Sequence, residues 1–204
     1  MINKPVFNAF ALACACALLS ACASMPGSGP ALSQTTVSPY RDSIELAGRL
    51  IVNYEKGGQP DTLSGKFTWS QTPAAVDVAL LSPLGPTIAK IRVTPESATL
   101  TQSDNAPRVA RDIDSLTAQT LGWSLPVSGL RDWLQGYATG PGGARFAASP
   151  ANNSVTTPDG WRLTFVSWQD AAAPRPVPKR IDAQRSASAA SGELALRIIV
   201  DPPL

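Results

Sequence analysis

Apolar residues recur at every second position through most of the chain after residue 40, and this alternation constrains the fold more than any other feature. In the first run, Leu46, Leu50 and Val52 occupy one face of an extended segment, while Arg49 and Asn53 occupy the other. A period of two is typical of a β-strand with one buried face. Comparable runs lie at residues 65–69, 76–80 and 89–93. The pattern therefore predicts successive antiparallel strands, each with one apolar face.

The same alternation returns near the C-terminus. It predicts strands at residues 161–168 and 194–200, with residues 180–184 as a third candidate. Residues 171–178 and the small-residue run at 186–192 are predicted to be loops, because small residues and proline break regular structure.

Two stretches between the strand runs have helical spacing instead. Residues 112–121 and 128–135 are predicted helices, with Ser128 as the N-cap of the second helix and Gly136 just past its end. Their apolar positions include Ile113, Leu116, Leu130, Trp133 and Leu134. Both helices are short, so we expect them to be stable only when packed on the sheet.

Strands, then two amphipathic helices, then strands predict an α+β fold. In this plan a curved antiparallel sheet has its apolar concave face covered by the helices. Such a sheet either fills its interior with side chains or encloses a ligand cavity.

Composition argues against several classes of function. The 204 residues include no histidine, which removes histidine-dependent nucleophiles and metal sites. All three cysteines lie within the first 22 residues, so the folded body has no internal disulfide or thiolate metal cluster. The formal net charge of +2 is spread through the sequence, which argues against a nucleic-acid partner. We expect no catalytic residues, no metal and no cofactor.

The N-terminus has the features of a bacterial lipoprotein signal. Lys4 precedes an apolar run at residues 6–19 that is shorter than the ~20 residues needed to span a bilayer. The run ends in Leu19-Ser20-Ala21-Cys22, which resembles a lipobox, where the cysteine thiol takes a diacylglyceryl group. The alternative is an ordinary secreted protein with chance cysteines.

The lipobox resemblance implies that residues 1–21 are removed and that Cys22 becomes the lipidated first residue. Two or more acyl chains give stable membrane attachment. Ala23 stands where many lipoproteins retained at the inner membrane have aspartate, so by that sorting rule the protein is anchored in the outer membrane, facing the periplasm. Small and polar residues predict a flexible linker at residues 22–39, followed by a folded domain at 40–204.

Several fragments, in order along the chain, are similar to a known family. They are Leu46-x-Gly48-Arg49-Leu50, Gly65-Lys66-Phe67-x-Trp69, Ser82-Pro83-Leu84-Gly85, Leu125-Pro126-Val127, Leu130-x-x-Trp133-x-x-Gly136 and Gly160-Trp161. Together they resemble the LolB family of outer-membrane lipoprotein receptors. The resemblance implies an incomplete, half-open antiparallel β-barrel with a helical lid over a hydrophobic cavity. It also implies a protein that accepts acylated lipoproteins from the periplasmic carrier LolA and inserts them into the outer membrane. Its partners would be LolA, the acyl chains of the cargo and outer-membrane lipid, and we expect a monomer.

Apolar residues of the predicted strands and helices are the candidates for lining the cavity. They are Leu50, Val52, Phe67, Trp69, Val78, Leu80, Leu116, Leu130, Trp133 and Phe165. Plain core packing would produce the same pattern, so the sequence leaves open whether these residues fill the interior or line a cavity.

A leucine stands at the tip of the predicted turn between two strands. Pro83 and Pro86 stiffen this turn, and Gly85 supplies backbone freedom. By family resemblance, Leu84, together with Pro83 and Gly85, is a membrane-inserting loop. The alternative is that Leu84 folds back onto the barrel.

Two other functions remain compatible with the sequence. One is a structural or assembly lipoprotein of the outer membrane without lipid transfer. The other is an envelope hydrolase that uses two carboxylates, for which Asp77, Asp132 and Asp159 are candidates.

Arg49 lies among apolar neighbours, and we expect it either at a sheet edge in water or in a buried polar contact with a loop or lid.

Overall fold

A computed structural model describes residues 32–102, 105–121, 123–187 and 192–202. Cys22, the predicted signal peptide and residues 22–31 of the predicted linker lie outside the described residues. In the described part of the chain, no helix is long and apolar enough to cross a membrane.

Strands and helices follow the order predicted from the alternation. They are β1 (Ile44–Lys56), β2 (Gln59–Gln71), β3 (Val76–Leu81), β4 (Thr87–Val93), β5 (Ala98–Gln102), β6 (Arg108–Ala110), α1 (Ile113–Leu121), α2 (Val127–Trp133), β7 (Tyr137–Thr139), β8 (Arg145–Ala147), β9 (Ser154–Thr156), β10 (Arg162–Trp168), β11 (Pro178–Arg185) and β12 (Leu194–Val200). The third candidate strand near the C-terminus is therefore present as β11. The short strands β5 to β9 were not predicted, because three to five residues are too few to show a period.

One antiparallel sheet contains ten of these strands, in the order β6-β5-β4-β3-β2-β1-β12-β11-β10-β9. Strands β6 and β9 are its edges, so the sheet is not closed into a barrel. Strands β7 and β8 form a separate hairpin. The architecture is an α+β fold with an open antiparallel sheet and two helices, as the sequence predicts.

The longest hairpin, β1 with β2, illustrates how the sequence sets the register. Gly57 and Gly58 both have positive φ (60° and 77°) and connect the two strands, which pair from Ile44 opposite Gln71 to Lys56 opposite Gln59. In the middle of β1, a Cβ added to Gly48 would lie 2.1 Å from the Ile199 carbonyl oxygen. Glycine is therefore required at position 48, where β1 and β12 approach closely.

The start of α2 differs from the prediction. Pro126 occupies the N-cap position without a side-chain cap, and Ser128 lies inside the helix. The prediction of Ser128 as a cap was wrong, because the N-cap position lies two residues earlier, at Pro126. Gly136 follows the helix with φ of 84°, a conformation that favours glycine, as expected just past a helix end.

Candidate functional site

The apolar face of the sheet is covered by α1, α2 and the connection between them, which we call the helical wall. The opposing apolar side chains of the strands form the sheet wall. Between the walls lies a small apolar cavity of about 20 Å³. It is lined by Leu50, Phe67, Trp69, Val78, Leu80 and Ile198 from the sheet and by Leu125, Leu130 and Leu134 from the helical side.

All the residues predicted to face the interior are buried. Six of them line the small cavity, and Val52, Leu116, Trp133 and Phe165 are buried elsewhere in the same core. Trp133 packs edge-on against Trp161 with ring centroids 5.5 Å apart. Phe165 stacks with Phe146 and with Trp168, with centroids 6.2 Å apart in each pair.

Three cavity-lining residues were missed by sequence reasoning. Leu125 and Leu134 belong to the helical wall, and Ile198 belongs to β12. The signals were present, since Leu134 continues the helical stripe and Ile198 continues the alternation of its strand. Leu125 precedes the helix, so no periodicity could identify it.

The size of the cavity shows that the two walls are closed on each other. A volume of about 20 Å³ is comparable with the room needed by one water molecule. Pockets that hold an organic ligand usually measure ~300–1,000 Å³. An acyl chain therefore requires one wall to move away from the other.

The helical wall contains several buried polar atoms that lack hydrogen-bond partners among the described residues. They are Asp114 Oδ1, Thr120 Oγ1 and Trp123 Nε1. The Trp123 side chain is only 3% exposed. An unsatisfied buried polar atom costs ~1–3 kcal/mol, so these atoms make the closed helical wall less stable than a fully bonded one.

The pKa of the Asp114 carboxyl is also shifted. Burial, and next the neighbouring charge of Asp112, raise the pKa of the Asp114 carboxyl to about 6. The Val127 backbone N–H and the Arg185 guanidinium act in the opposite direction, and Asp159 raises the pKa further. The carboxyl therefore changes charge near neutral pH, at the junction of the two helices.

The turn between β3 and β4 projects an apolar residue into solvent. The Ser82 N–H donates to the Pro86 carbonyl (2.8 Å), and the Gly85 N–H donates to the Ser82 carbonyl (3.0 Å). Gly85 has φ of 110°, which requires glycine. The tip is thereby held tightly, and Leu84 is 95% exposed. Leu84 does not fold back onto the sheet.

The carboxylates considered for hydrolysis lie on three different elements. Asp77 on β3 forms an exposed ion pair with Arg92 at 2.8 Å. Asp132 on α2 is half-buried, and burial raises the pKa of its carboxyl against the opposing effects of Arg145 and Arg131. Asp159, in the turn before β10, accepts a hydrogen bond from the Thr157 hydroxyl.

Arg49 lies on the outer, polar face of β1, where it is exposed to solvent. Strand β1 is central, with β2 and β12 on either side. The expected exposure of Arg49 to water is therefore confirmed, whereas the expected sheet edge and the alternative of a buried polar contact were wrong, because a central strand of a one-sided sheet still has a solvated face.

A larger recess of about 920 Å³ lies on the same outer face. Its lining includes Glu45, Thr68, Asp77, Lys90 and Arg92. It lies on the solvated face of the sheet and is bordered by charges, so it lacks the dry surroundings that an acyl chain would need. The apolar interior is the better candidate site.

Comparisons with known proteins identify the family of this chain. The sequence model of the family described as "Outer membrane lipoprotein LolB" matches residues 42–202. The outer-membrane lipoprotein LolB of Cupriavidus necator is 38% identical over 186 residues, covering 91% of this chain and 90% of the relative. The LolB of Ralstonia nicotianae is 33% identical, covering 95% of each chain. Among solved structures, a LolA superfamily protein from Nitrosomonas europaea is similar with a TM-score of 0.47 at 9% identity, over 82% of this chain and 87% of its own. The extent of the family match and the identity to these relatives show that the chain belongs to the LolB family of outer membrane lipoproteins.

Proposed function

We propose that this outer-membrane lipoprotein accepts acylated lipoproteins from the periplasmic carrier LolA and inserts them into the outer membrane, while Cys22 anchors it there. It would act without chemistry of its own, as a localisation factor and not as an enzyme. The observation that carries the proposal is the apolar face of an open sheet, which is covered by two short helices.

The energetics of the cargo explain why such an interior is useful. An acyl chain of ~16 carbons exposes ~12 kcal/mol of apolar free energy at ~0.8 kcal/mol per CH₂, so it cannot cross water unprotected. The walls would separate to admit the chain, and the apolar residues of both walls would cover it. Side chains such as Leu80 and Leu130 would exchange contacts with each other for contacts with lipid.

Transfer would run downhill in affinity. The sequence has no nucleotide-binding motif of the G-x-x-x-x-G-K-[ST] type, so no energy source within the chain is evident. The receptor would therefore bind the lipid moiety more tightly than the carrier does, and less tightly than the bilayer.

Leu84 would be the contact with the membrane during insertion, held by Pro83 and Gly85. Burying one leucine contributes only ~1.5–3 kcal/mol, too little to hold a protein on a membrane. Because the lipid on Cys22 already provides attachment, insertion of Leu84 would be effectively intramolecular. Its modest energy would then suffice to orient the body for release.

A substitution of Leu84 tests this role. Leu84→Glu should leave folding and cargo uptake unchanged and reduce delivery of a lipoprotein from the carrier into lipid vesicles. Val109→Glu is the matched control, since Val109 is also an exposed apolar residue, at 66%, on edge strand β6. Equal delivery by Leu84→Glu and the wild-type protein would refute the membrane role of Leu84.

The small cavity itself favours a second candidate function, a structural or assembly lipoprotein with a filled core. Titration with a fluorescent fatty acid distinguishes the two. We expect binding of the probe by a soluble form lacking residues 1–22, and uptake by this form of a lipoprotein from its carrier. If neither probe nor cargo binds, the structural function replaces the receptor.

A further inference from the structure

The N-terminal segment that leads to the first strand is packed against the end of the helical wall. We call residues 32–43 the strap. Its Val37 is only 4% exposed, and the Val37 N–H donates to the Ala148 carbonyl at 2.9 Å. The Ala148 N–H in turn donates to the Gly136 carbonyl at 2.9 Å. A Cβ added to Gly136 would lie 2.5 Å from Val37 Cγ1. The absence of a side chain at Gly136, three residues after the end of α2, therefore leaves room for the strap.

Hydrogen bonds also hold the strap against the end of α2. The Arg41 N–H donates to Gln135 Oε1 (2.9 Å), and Gln135 Nε2 donates back to the Arg41 carbonyl (3.0 Å). The Tyr137 hydroxyl donates to the Ser38 carbonyl (2.8 Å). A side chain that bonds both backbone groups of one residue imitates strand pairing, which makes Gln135 a specific clasp for the strap.

The strap also reaches the sheet wall. Gln71 Nε2 donates to the Tyr40 hydroxyl at 2.9 Å, and Gln71 Oε1 accepts from Trp69 Nε1 at 3.3 Å. Gln71 is 1% exposed, and Trp69 lines the cavity. The Arg145 guanidinium lies over the ring of Tyr40, 5.1 Å from its centroid. The strap therefore contacts both walls of the cavity.

The contacts of the strap lie close, along the chain, to residues that line the cavity and to the lipidated cysteine. Leu130 and Leu134 line the cavity, and the clasp residue Gln135 follows Leu134 directly. Residues 23–31, nine in number, separate Cys22 from the strap. Nine residues span at most ~30–32 Å when fully extended. A lipid on Cys22 is thus connected to the end of α2 by a short chain.

We propose that the strap is a latch that holds α2 closed on the sheet, and that releasing the strap opens the cavity. This inference rests on the proposed function, because opening matters only if the cavity takes an acyl chain. Displacement of the strap removes the Gln135 and Val37 contacts together, since residues 37–41 form one short segment.

Hydrogen exchange in the full-length lipidated protein, held in detergent micelles, tests the latch without any added ligand. Gln135→Ala removes both bonds to Arg41, and we expect exchange of the Leu130 and Leu134 amides to accelerate about tenfold. Gln135→Glu keeps an acceptor for the Arg41 N–H but loses the donor, so its effect should be intermediate. Val37→Ser should act in the same direction, and Val109→Ser, at an exposed valine, is the matched control.

Two results would overturn the latch. One is α2 exchange in the Gln135 and Val37 variants that rises no more than in the Val109 control. The other is acceleration that is equal in the β1 and β2 amides, which would indicate a general loss of stability. Binding of a fluorescent fatty acid to the same variants, measured in parallel, distinguishes the latch from the proposed acyl-chain site. Faster α2 exchange with no fatty-acid binding in any variant would uphold the latch and refute the acyl-chain site.

Discussion

The two walls of the cavity are made of similar side chains but are built in very different ways. In the sheet wall, each strand that contributes side chains has a hydrogen-bonded neighbour on both sides. The helical wall consists of two short helices, one without a side-chain N-cap, and carries buried polar atoms that have no hydrogen-bond partner among the residues that the structure describes. The sheet wall is thus held by its own backbone, whereas the helical wall depends on packing.

The difference in hydrogen bonding indicates that the helical wall moves more easily than the sheet wall. Regions with incomplete hydrogen bonding and few regular contacts open at lower free energy than paired strands. Under the proposed function, an interior of about 20 Å³ would have to widen to the volume of an acyl chain, which requires one rigid surface and one adaptable one. Matched substitutions in the two walls should therefore differ in their effect on stability.

The largest effect is expected in the sheet wall. Leu80→Ala should lower the free energy of unfolding by ~4–5 kcal/mol, the upper part of the range for buried leucines, because paired strands cannot collapse into the space. Urea unfolding measures the loss. Val166→Ala, at an exposed position of β10, is the control and should change stability little.

Leu130→Ala makes the same change in the helical wall, in a side chain buried to the same degree. We expect a smaller loss of ~2–3 kcal/mol, because α2 can shift to fill part of the space. Urea unfolding gives this value as well. Losses of equal size for Leu80→Ala and Leu130→Ala would contradict the distinction between a rigid and an adaptable wall.

Asp114→Asn tests the helical wall through the dependence of stability on pH. Below pH 3.8 the Asp114 carboxyl is protonated in the folded and unfolded states, so the variant and wild-type proteins should be equally stable. As the pH rises from 3.8 to about 6, the wild-type protein must ionise a buried carboxyl and loses stability that the variant keeps. Thermal unfolding from pH 4 to 8 should show the variant gaining stability relative to the wild-type protein up to about pH 6, with a constant difference at higher pH. Asp42→Asn, at an exposed carboxylate, is the control, and a constant difference across pH would contradict the role of Asp114.

The smallest effect on stability is expected at the β3–β4 tip. Leu84→Ser should change the free energy of unfolding by no more than ~0.5 kcal/mol, because the side chain is already in water. Urea unfolding provides the measurement. A loss above 1.5 kcal/mol would mean that Leu84 packs on the protein and is unavailable to a membrane.

Much of the fold was predictable because strands with one buried face impose a period of two. Leu50, Phe67 and Val78 could be assigned to one face from that period alone. The N-cap of α2 could not be predicted, because Ser128 satisfies the local rule while Pro126 begins the helix in the structure. Arg49 was misjudged because the period shows which residues share a face, but not which strand is central.

The antiparallel strands, the two short helices, the apolar face and the tight turn that carries Leu84 can all be read from the sequence. Each of these depends on residues close together in the chain, where backbone sterics and hydrophobic periodicity act directly. Only the tertiary structure decided that the walls are closed to about 20 Å³, that Leu84 is exposed and that residues 32–43 pack against α2. These features join residues as far apart as Arg41 and Gln135, and no local pattern specifies how such distant surfaces fit together.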